Sequence, residues 1–469
     1  MQANTPILRL ARITLEATSP LSLSTGRHNT LFDTQVVTDA NGLPAIPGTA
    51  LAGALRHALA RRLGLAATRA VFGQASDHDS TPSPLSVTWA HIHDGHDHPM
   101  DGLDLERAWT RDPLLSAFAV NELPHRDHMR LGTRGVAQFQ GRFGQRFVAP
   151  GHRFSFEMAL WDGTGDALAP AWEALQAVLA GAEFRLGGAT RRGYGQLHIQ
   201  RYAERRFDLR EPADFRAYAR HPRRLDRPAE ALREIELVAD PGLSGNWLRL
   251  DLNLEAEDFW RFGGGDIPVT DATRSSEALP YTEERVAWVG TRGHLARRRV
   301  IVPASAVKGA LAHRTAFHYN RLTRRYADGL DPRRLEQETP DHNPATRYLF
   351  GHGGPDPARG RGGHVLIEDA VADDPATFRL AHNSLDRFTG GVRDGVFYCE
   401  EAVYGNAFQL RLRVAKDIWR GAPKAVRQAF RATLDDLLEG RLALGAASAR
   451  GLGYFQGDIV RDELKESTP

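Results

Sequence analysis

Ile46-Pro47-Gly48-Thr49-Ala50-Leu51-Ala52-Gly53-Ala54-Leu55 returns 256 residues later as Val302-Pro303-Ala304-Ser305-Ala306-Val307-Lys308-Gly309-Ala310-Leu311. A second stretch, Leu186-Gly187-Gly188-Ala189-Thr190-Arg191-Arg192-Gly193-Tyr194-Gly195, returns 258 residues later as Leu444-Gly445-Ala446-Ala447-Ser448-Ala449-Arg450-Gly451-Leu452-Gly453. Two motifs repeated at nearly one offset imply a duplicated domain of about 200 residues. Every functional candidate must therefore be read in both halves.

Working outward, each half opens on an alternating strand, Leu8 to Ala17 and Leu248 to Ala256. A glycine-bearing loop follows, at Gly26 and at Gly263-Gly264-Gly265. After the Pro-Gly or Pro-Ala turn comes a helix, with Thr49 or Ser305 expected at its N-cap and Leu51, Leu55 and Leu59, or Val307 and Leu311, at helical spacing. Val71-Phe72-Gly73 and Leu349-Phe350-Gly351 precede further strands, and a second helix is read at Trp172 to Leu179 and at Lys424 to Leu438. The order strand, helix, strands, helix, strand predicts an α+β fold: two tandem ferredoxin-like domains, each an antiparallel sheet with two helices on one face. The expected boundaries are 1–203 and 247–461, with a linker over 204–246, which is dense in arginine, acid and proline, and a frayed tail over 462–469.

Composition narrows the functions. Sixty basic residues stand against 58 acidic ones, so net charge does not announce a polyanion partner, but only Lys308, Lys416, Lys424 and Lys465 are lysine. The other basic residues are arginines, which suit bidentate phosphate contacts and stacking on bases. A single cysteine, Cys399, excludes an internal disulfide and a cysteine-built zinc site and fits a reducing compartment. With no signal peptide or apolar run of spanning length in the sequence, a soluble cytoplasmic protein without membrane contact is expected.

These motifs together resemble the RAMP superfamily of CRISPR-associated proteins, in particular the backbone subunits of type III effector complexes, here two in tandem. The resemblance rests on the Pro-Gly-Thr/Ser-x-Leu-x-Gly turn into a helix, the Leu-Phe-Gly turn before a strand, and the terminal glycine loop. It implies RRM-like domains with inserted thumb hairpins, binding to crRNA and to complementary target RNA, and assembly with other CRISPR-associated subunits. It also implies an endoribonuclease whose acid lies in the loop after the first strand, with a divalent cation, Mg2+, as cofactor.

On that resemblance Asp33, in Phe32-Asp33-Thr34-Gln35-Val36-Val37, is the candidate catalytic residue. A carboxylate there serves as base toward a ribose 2′-OH or holds a cation. The second half does not align cleanly. Leu15 to Leu254 spans 239 and Pro47 to Pro303 spans 256, so seventeen extra residues are expected in its acidic loop. Asp266, Asp271, Glu277, Glu283 and Glu284 are all possible substitutes, with Glu284 favoured; equally, this half binds RNA without cutting it.

The candidate RNA-binding residues are drawn from three features. Thr49, Ser305 and Lys308 lie at the helix starts, with His57 and His313 ranked below them. Arg192 and Arg450 precede the paired glycines of the terminal loops, where backbone amides can approach a phosphate closely. Arg130, Arg134, Arg142 and Arg146 interleave with Phe139, Phe143 and Phe147, as Arg387, Phe388, Arg393 and Phe397 do in the second half, and two thumbs are expected there. Gly132, Gly135, Gly141 and Gly144 argue against a helix in the first of these stretches.

One segment points elsewhere. His91-Ile92-His93-Asp94-Gly95-His96-Asp97-His98 approximates the His-x-His-x-Asp-His box of metallo-β-lactamase-type hydrolases, with Gly95 where an aspartate belongs. Three classes therefore stand: an RNA-guided endoribonuclease subunit, a non-catalytic guide-RNA scaffold, and a metal-dependent hydrolase.

Overall fold

The computed structural model describes residues 5–24, 35–75, 80–120, 123–132, 135–181, 184–237, 246–269, 276–326, 328, 342–353 and 360–466. In the first half, β1 (Ile7–Ala17) lies between β5 (Arg153–Asp162) and β6 (Leu197–Asp208), and β2 (Leu85–Val87) pairs with the far edge of β5. Helices α1 (Gly48–Phe72) and α2 (Ala169–Ala180) complete it. The second half repeats the plan. There β7 (Trp247–Ala256) lies between β13 (Ala407–Ala415) and β14 (Phe455–Asp462), β10 (Val365–Ile367) pairs with β13, and α4 (Ala304–Leu322) and α5 (Lys424–Leu438) supply the helices. Both are antiparallel ferredoxin-like sheets, as the element order predicts.

Strand period explains the two cores. Alternate residues of β1 (Ala11, Ile13, Leu15) and of β5 (Phe154, Phe156, Met158) face Leu51 and Leu55 of α1 and Trp172 and Leu175 of α2. Leu250, Leu252, Leu254, Leu410 and Leu412 meet Val307, Leu311, Phe430 and Leu434 in the same way. Full burial of each such side chain contributes about 1.5–3 kcal/mol, so each half closes on its own apolar layer.

Three expectations change. Residues 204–237 are not a linker: β6 runs on to Asp208, α3 (Pro212–Ala219) follows, and Phe207 and Leu232 cover Leu8 and Leu10 on the sheet face away from α1 and α2. The arginine- and proline-rich part looked aperiodic because its backbone carbonyls, at Pro222, Arg224, Leu225 and Arg227, converge on the guanidinium of Arg12. Nor is the tail frayed through Glu466. In α6 (Glu463–Glu466) Leu464 is buried, its carbonyl accepts from Trp419 Nε1, and the Glu463 carboxylate accepts from the Arg249 amide. Finally, Pro47 and Pro303 hold the N-cap positions, so Thr49 and Ser305 lie one residue inside the first turn and cap nothing. Among the described residues no helix is long and apolar enough to cross a membrane.

Candidate nucleic-acid interface

A long hairpin stands at corresponding places in the two halves. The first is β3 (His125–Leu131) with β4 (Ala137–Arg146), the second β11 (Thr377–His382) with β12 (Tyr398–Tyr404). Their outer parts are apolar yet solvent-facing, with Phe139 93% exposed and Phe388 81% exposed. Asp386 builds the turn that carries Phe388 by accepting from the amides of Phe388 and Thr389. Arg387 lies 4.7 Å over the Phe388 ring. Arg130 and Arg393 are exposed, and Arg142 pairs with Asp127 at the surface, where such a pair contributes little. Arg146 is half-buried at the foot of β4, and Arg134 lies outside the described residues.

On both ladders the structure repeats a device that neither motif predicted. His128 stacks on its cross-strand partner Phe143 at 4.9 Å and 24°, and His382 stacks on Tyr398 at 4.8 Å and 23°. The loop arginine then closes over the same ring: Arg192 lies 5.5 Å from Phe143, and Arg450 5.6 Å from Tyr398. Each hairpin is thereby fastened to its terminal glycine loop. The loops fold alike because matching amides hold them, Leu186 to Gly195 O and Gly188 to Ser22 O in one half, Leu444 to Gly453 O and Ala446 to Arg261 O in the other. The histidines were missed because the stack pairs a residue 15 or 16 positions away across a strand ladder, which no local pattern reports.

The two stacks differ in setting. Burial, then Arg192 and Arg126, pushes His128 down to about 4, so it is neutral at pH 7. Burial also lowers Arg192. In the second half His382 Nε2 is 2.7 Å from Glu400 Oε1, and the other oxygen of that buried carboxylate takes both Nε and Nη2 of Arg261.

The first half's loop meets the second half. Gly193 lies against Asp369 and Ala304, so Arg192 neighbours the first turn of α4, where Ser305 and Lys308 are half-buried. Three separately predicted binding residues thus converge on one joint, while Thr49 and Arg450 belong to the outer ends. Arg126 of β3 also crosses the joint. Its Nε donates to Glu283 (2.5 Å) and its two Nη atoms to Asp369 (3.2 and 2.8 Å), with the rings of Tyr194, Phe147 and Tyr281 packed 5.0–5.6 Å from the guanidinium. Burial opposes the charge, but Asp369 and Glu283 override it and hold Arg126 protonated well above the usual range.

Asp33 and Asp271 lie outside the described residues. Hydrogen bonds nevertheless fix how the two acidic loops correspond. The amide of Val37 donates to Leu23 O as that of Tyr281 donates to Phe262 O, so Val37 matches Tyr281, 244 residues on, while Leu23 and Phe262 are 239 apart. Ile46 and Val302 pair with Ala90 and Ala370 and are 256 apart. Only five extra residues therefore lie in the acidic loop. The other twelve form a separate hairpin, β8 (Val286–Val289) and β9 (Arg292–Leu295), closed by Ala296 N to Arg285 O. Counting back four residues from Tyr281, as from Val37 to Asp33, reaches Glu277.

Glu284 lies 3.9 Å from Arg298, as Asp266 does at 3.3 Å, and Glu283 is buried on Arg126. Glu277 is exposed, and its Oε2 accepts from the Cys399 amide at 2.6 Å, which lowers its pKa. The expected Mg2+ finds no ligand set among the described residues here. Glu277 holds the Cys399 amide, Glu400 holds Arg261, and Glu401 accepts from Thr377 Oγ1 and the Val269 amide.

The histidine-rich segment has other work. His93 is buried between Asp97 Oδ1 and Ser155 Oγ, each at 2.8 Å, and Ser155 is buried against Thr14. Burial, outweighing Asp97, lowers its pKa. Asp94 Oδ1 is turned onto the amides of His96 and His98. The segment forms a ledge on which the β8–β9 hairpin sits, through Gly293 N to Gly95 O, Trp288 Nε1 to Gly151 O, and Arg153 stacked 4.1 Å over Trp288. Two insertions, one in each half, are each other's partner. Asp94, His96 and Asp112 place ligand atoms within 4.8 Å of one another, but Asp112 is also spent on the amides of Gly95, Leu114 and Leu115.

A search of the curated proteins finds no match. The family model of the RAMP superfamily matches residues 14–198 and again residues 253–456, one region in each ferredoxin-like half. With matched regions spanning most of the chain and coinciding with the structural repeat, this protein belongs to the RAMP superfamily, carries two of its domains in tandem, and has the CRISPR-associated, RNA-binding role of that family.

Proposed function

We propose that this chain is a crRNA-binding backbone subunit of a type III CRISPR effector complex, that it captures complementary target RNA, and that its first half cuts this RNA with Asp33 as the catalytic residue. Other CRISPR-associated subunits are its proposed partners and the cytoplasm its compartment. The observation that supports the reading best is the repeated stack, His128–Phe143–Arg192 and His382–Tyr398–Arg450, which mounts two hairpins with exposed phenylalanines on two glycine loops. Exposed rings beside arginines stack on bases of any sequence, which suits a protein whose specificity comes from base pairing.

A base pushed out of a helix leaves its 2′-OH free to align with the adjacent phosphate. A carboxylate that takes the 2′-OH proton lets that oxygen attack phosphorus while the P–O5′ bond breaks and the leaving 5′-oxygen takes a proton from water, giving a 2′,3′-cyclic phosphate and a 5′-hydroxyl. The Cys399 amide already occupies Glu277 Oε2, so we read the second half as holding RNA without cutting it. The test uses the assembled complex. Asp33→Ala should still bind complementary RNA and lose a cut, while Glu277→Ala and Glu284→Ala keep the full pattern. Cleavage at every position by Asp33→Ala overturns Asp33; loss of a cut in Glu277→Ala overturns the passive second half.

A further inference from the structure

Where α4 and α5 pack together, the second half departs from its copy. Val307 and Leu311 match Leu51 and Leu55 of α1, and Phe430, Thr433 and Leu437 match Trp172, Leu175 and Leu179 of α2, every one of them buried. On that alignment Leu59, Leu175 and Val178 of the first half give way to Thr315, Thr433 and Asp436, and Arg62 to His318. An apolar crossing becomes a polar one. Thr315 and Thr433 share a hydrogen bond of 3.1 Å, while His318 Nε2 and Arg441 Nε donate to the two oxygens of buried Asp436 at 2.7 and 2.8 Å and Arg314 Nε adds a third donor. His318 is 6% exposed, and its Nδ1 is left without a partner among the described residues. A buried ion network adds little stability over apolar packing, and the first half closes the same helix pair without one.

The network borders a cavity of about 350 Å³, within the size range of small-ligand sites. Phe317 lines it, 51% exposed, and the Arg314 guanidinium lies 4.6 Å over that ring and holds it as a platform. Arg321 and Asp435 also line it; both are exposed, and neither has an ion pair among the described residues. Arg314, Arg321 and Arg441 are offset by Asp435, Asp436 and Glu439, so charge alone does not draw a phosphate here. What remains is a ring face, one unpaired guanidinium and one unpaired carboxylate.

Among the RNA bases guanine answers all three. Its N1–H and N2 amino group donate side by side to a carboxylate, its O6 and N7 accept from a guanidinium, and its face stacks on a phenyl ring. Adenine and cytosine set a single amino group beside an acceptor, and the one N–H of uracil stands between two carbonyls. We infer that the cavity between α4 and α5 binds guanine, carried by a free nucleotide or by an unpaired residue of RNA, with Asp435 on its donor edge, Arg321 on its acceptor edge and Phe317 against its face. The site lies apart from the hairpins and glycine loops and has no twin in the first half.

Calorimetric titration of the full chain with the four nucleoside 5′-monophosphates tests this. The guanosine nucleotide should bind one per chain, about tenfold more tightly than the other three. Phe317→Ala should weaken it about tenfold. Asp435→Asn should exchange the preference for guanosine monophosphate for xanthosine monophosphate, whose C2 carbonyl accepts from the new amide; both side chains are exposed, so unfolding should stay at the wild-type value. Displacement of bound guanosine monophosphate by a uridine hexamer carrying one internal guanosine identifies the carrier: a hexamer that binds more tightly than the mononucleotide makes it RNA, a weaker one the free nucleotide, and both support the inference. No saturable binding, equal affinity for the four nucleotides, an Asp435→Asn variant that still prefers guanosine, or displacement by an all-uridine hexamer overturns it. None of these measurements involves cleavage, so they leave the reading of Asp33 and Glu277 to its own test.

Discussion

The guanidinium of Arg126 closes on the carboxylate of Asp369 with both Nη atoms, although the two residues are 243 positions apart. The contact ties the thumb base of one half to the strand end of the other, and Asp369 also accepts the Ala304 amide at the start of α4. One carboxylate thus sets hairpin, helix and half-to-half orientation together.

Arg126→Leu leaves Glu283 and Asp369 buried without their cation. It should cost about 3–5 kcal/mol, the usual penalty for breaking a buried pair from one side. Urea unfolding at pH 7 measures it. Adding Asp369→Leu and Glu283→Leu should recover part of the loss; a single substitution without effect shows that the joint is not held here.

Gly193 and Gly451 share a left-handed conformation, φ 90° and 88°, so alanine at either carries the same backbone cost of about 1 kcal/mol. Only Gly193 is crowded: a Cβ there meets Asp369 Oδ1 at 2.5 Å and Ala304 Cβ at 2.8 Å, whereas at Gly451 nothing lies within 4 Å. Gly193→Ala should lose roughly 1–3 kcal/mol more than Gly451→Ala, the range for overpacking. Equal losses in thermal unfolding would count against the close approach.

Phe139→Ala and Phe388→Ala remove rings that touch little of the protein and should leave unfolding within about 0.5 kcal/mol of wild type. If the rings stack on bases, each should weaken RNA binding by about 1–3 kcal/mol, read by filter binding at fixed salt. Unchanged affinity in the double variant would remove the hairpins from the RNA surface.

Burial alone pushes His152 down to about 4, and His128 reaches the same value by burial with Arg192 and Arg126. An unfolded histidine titrates near 6.5, so the unfolded chain takes up these protons first. The stability held by the neutral rings is complete above pH 6.5 and falls as pH drops toward 4, by up to roughly 3 kcal/mol for each. His152→Phe, which keeps a ring beside Phe118 at that site, should flatten part of the slope between pH 7 and 4.5 in denaturant titrations. A slope identical to wild type contradicts the shift.

The fold was legible because its signals are local. Leu51, Leu55 and Leu59, at helical spacing, and the alternation of β1 and β7 depend only on near neighbours, and the duplicated glycine loops fix where the repeat begins and ends. The stretch over 204–237 was misread because its order comes from Arg12, a distant residue on the strand it covers. Glu284 was favoured for a related reason. Sequence offsets gave the total of seventeen inserted residues but not their division, and only the hydrogen bonds of Val37 and Tyr281 split it into a short loop extension and a hairpin.

The sequence by itself determined a duplicated α+β chain, its helices and strands, and the family they resemble, because propensity and periodicity act over a few residues. Only the tertiary structure decided what the repeats are for. It brought Arg192 to Phe143 and His128, buried His93 between Asp97 and Ser155, turned the Gly95 carbonyl onto Gly293 of the other half, and set Arg126 on Asp369. Those pairings join residues far apart in the chain, and the burial that makes them strong exists only once both halves have folded.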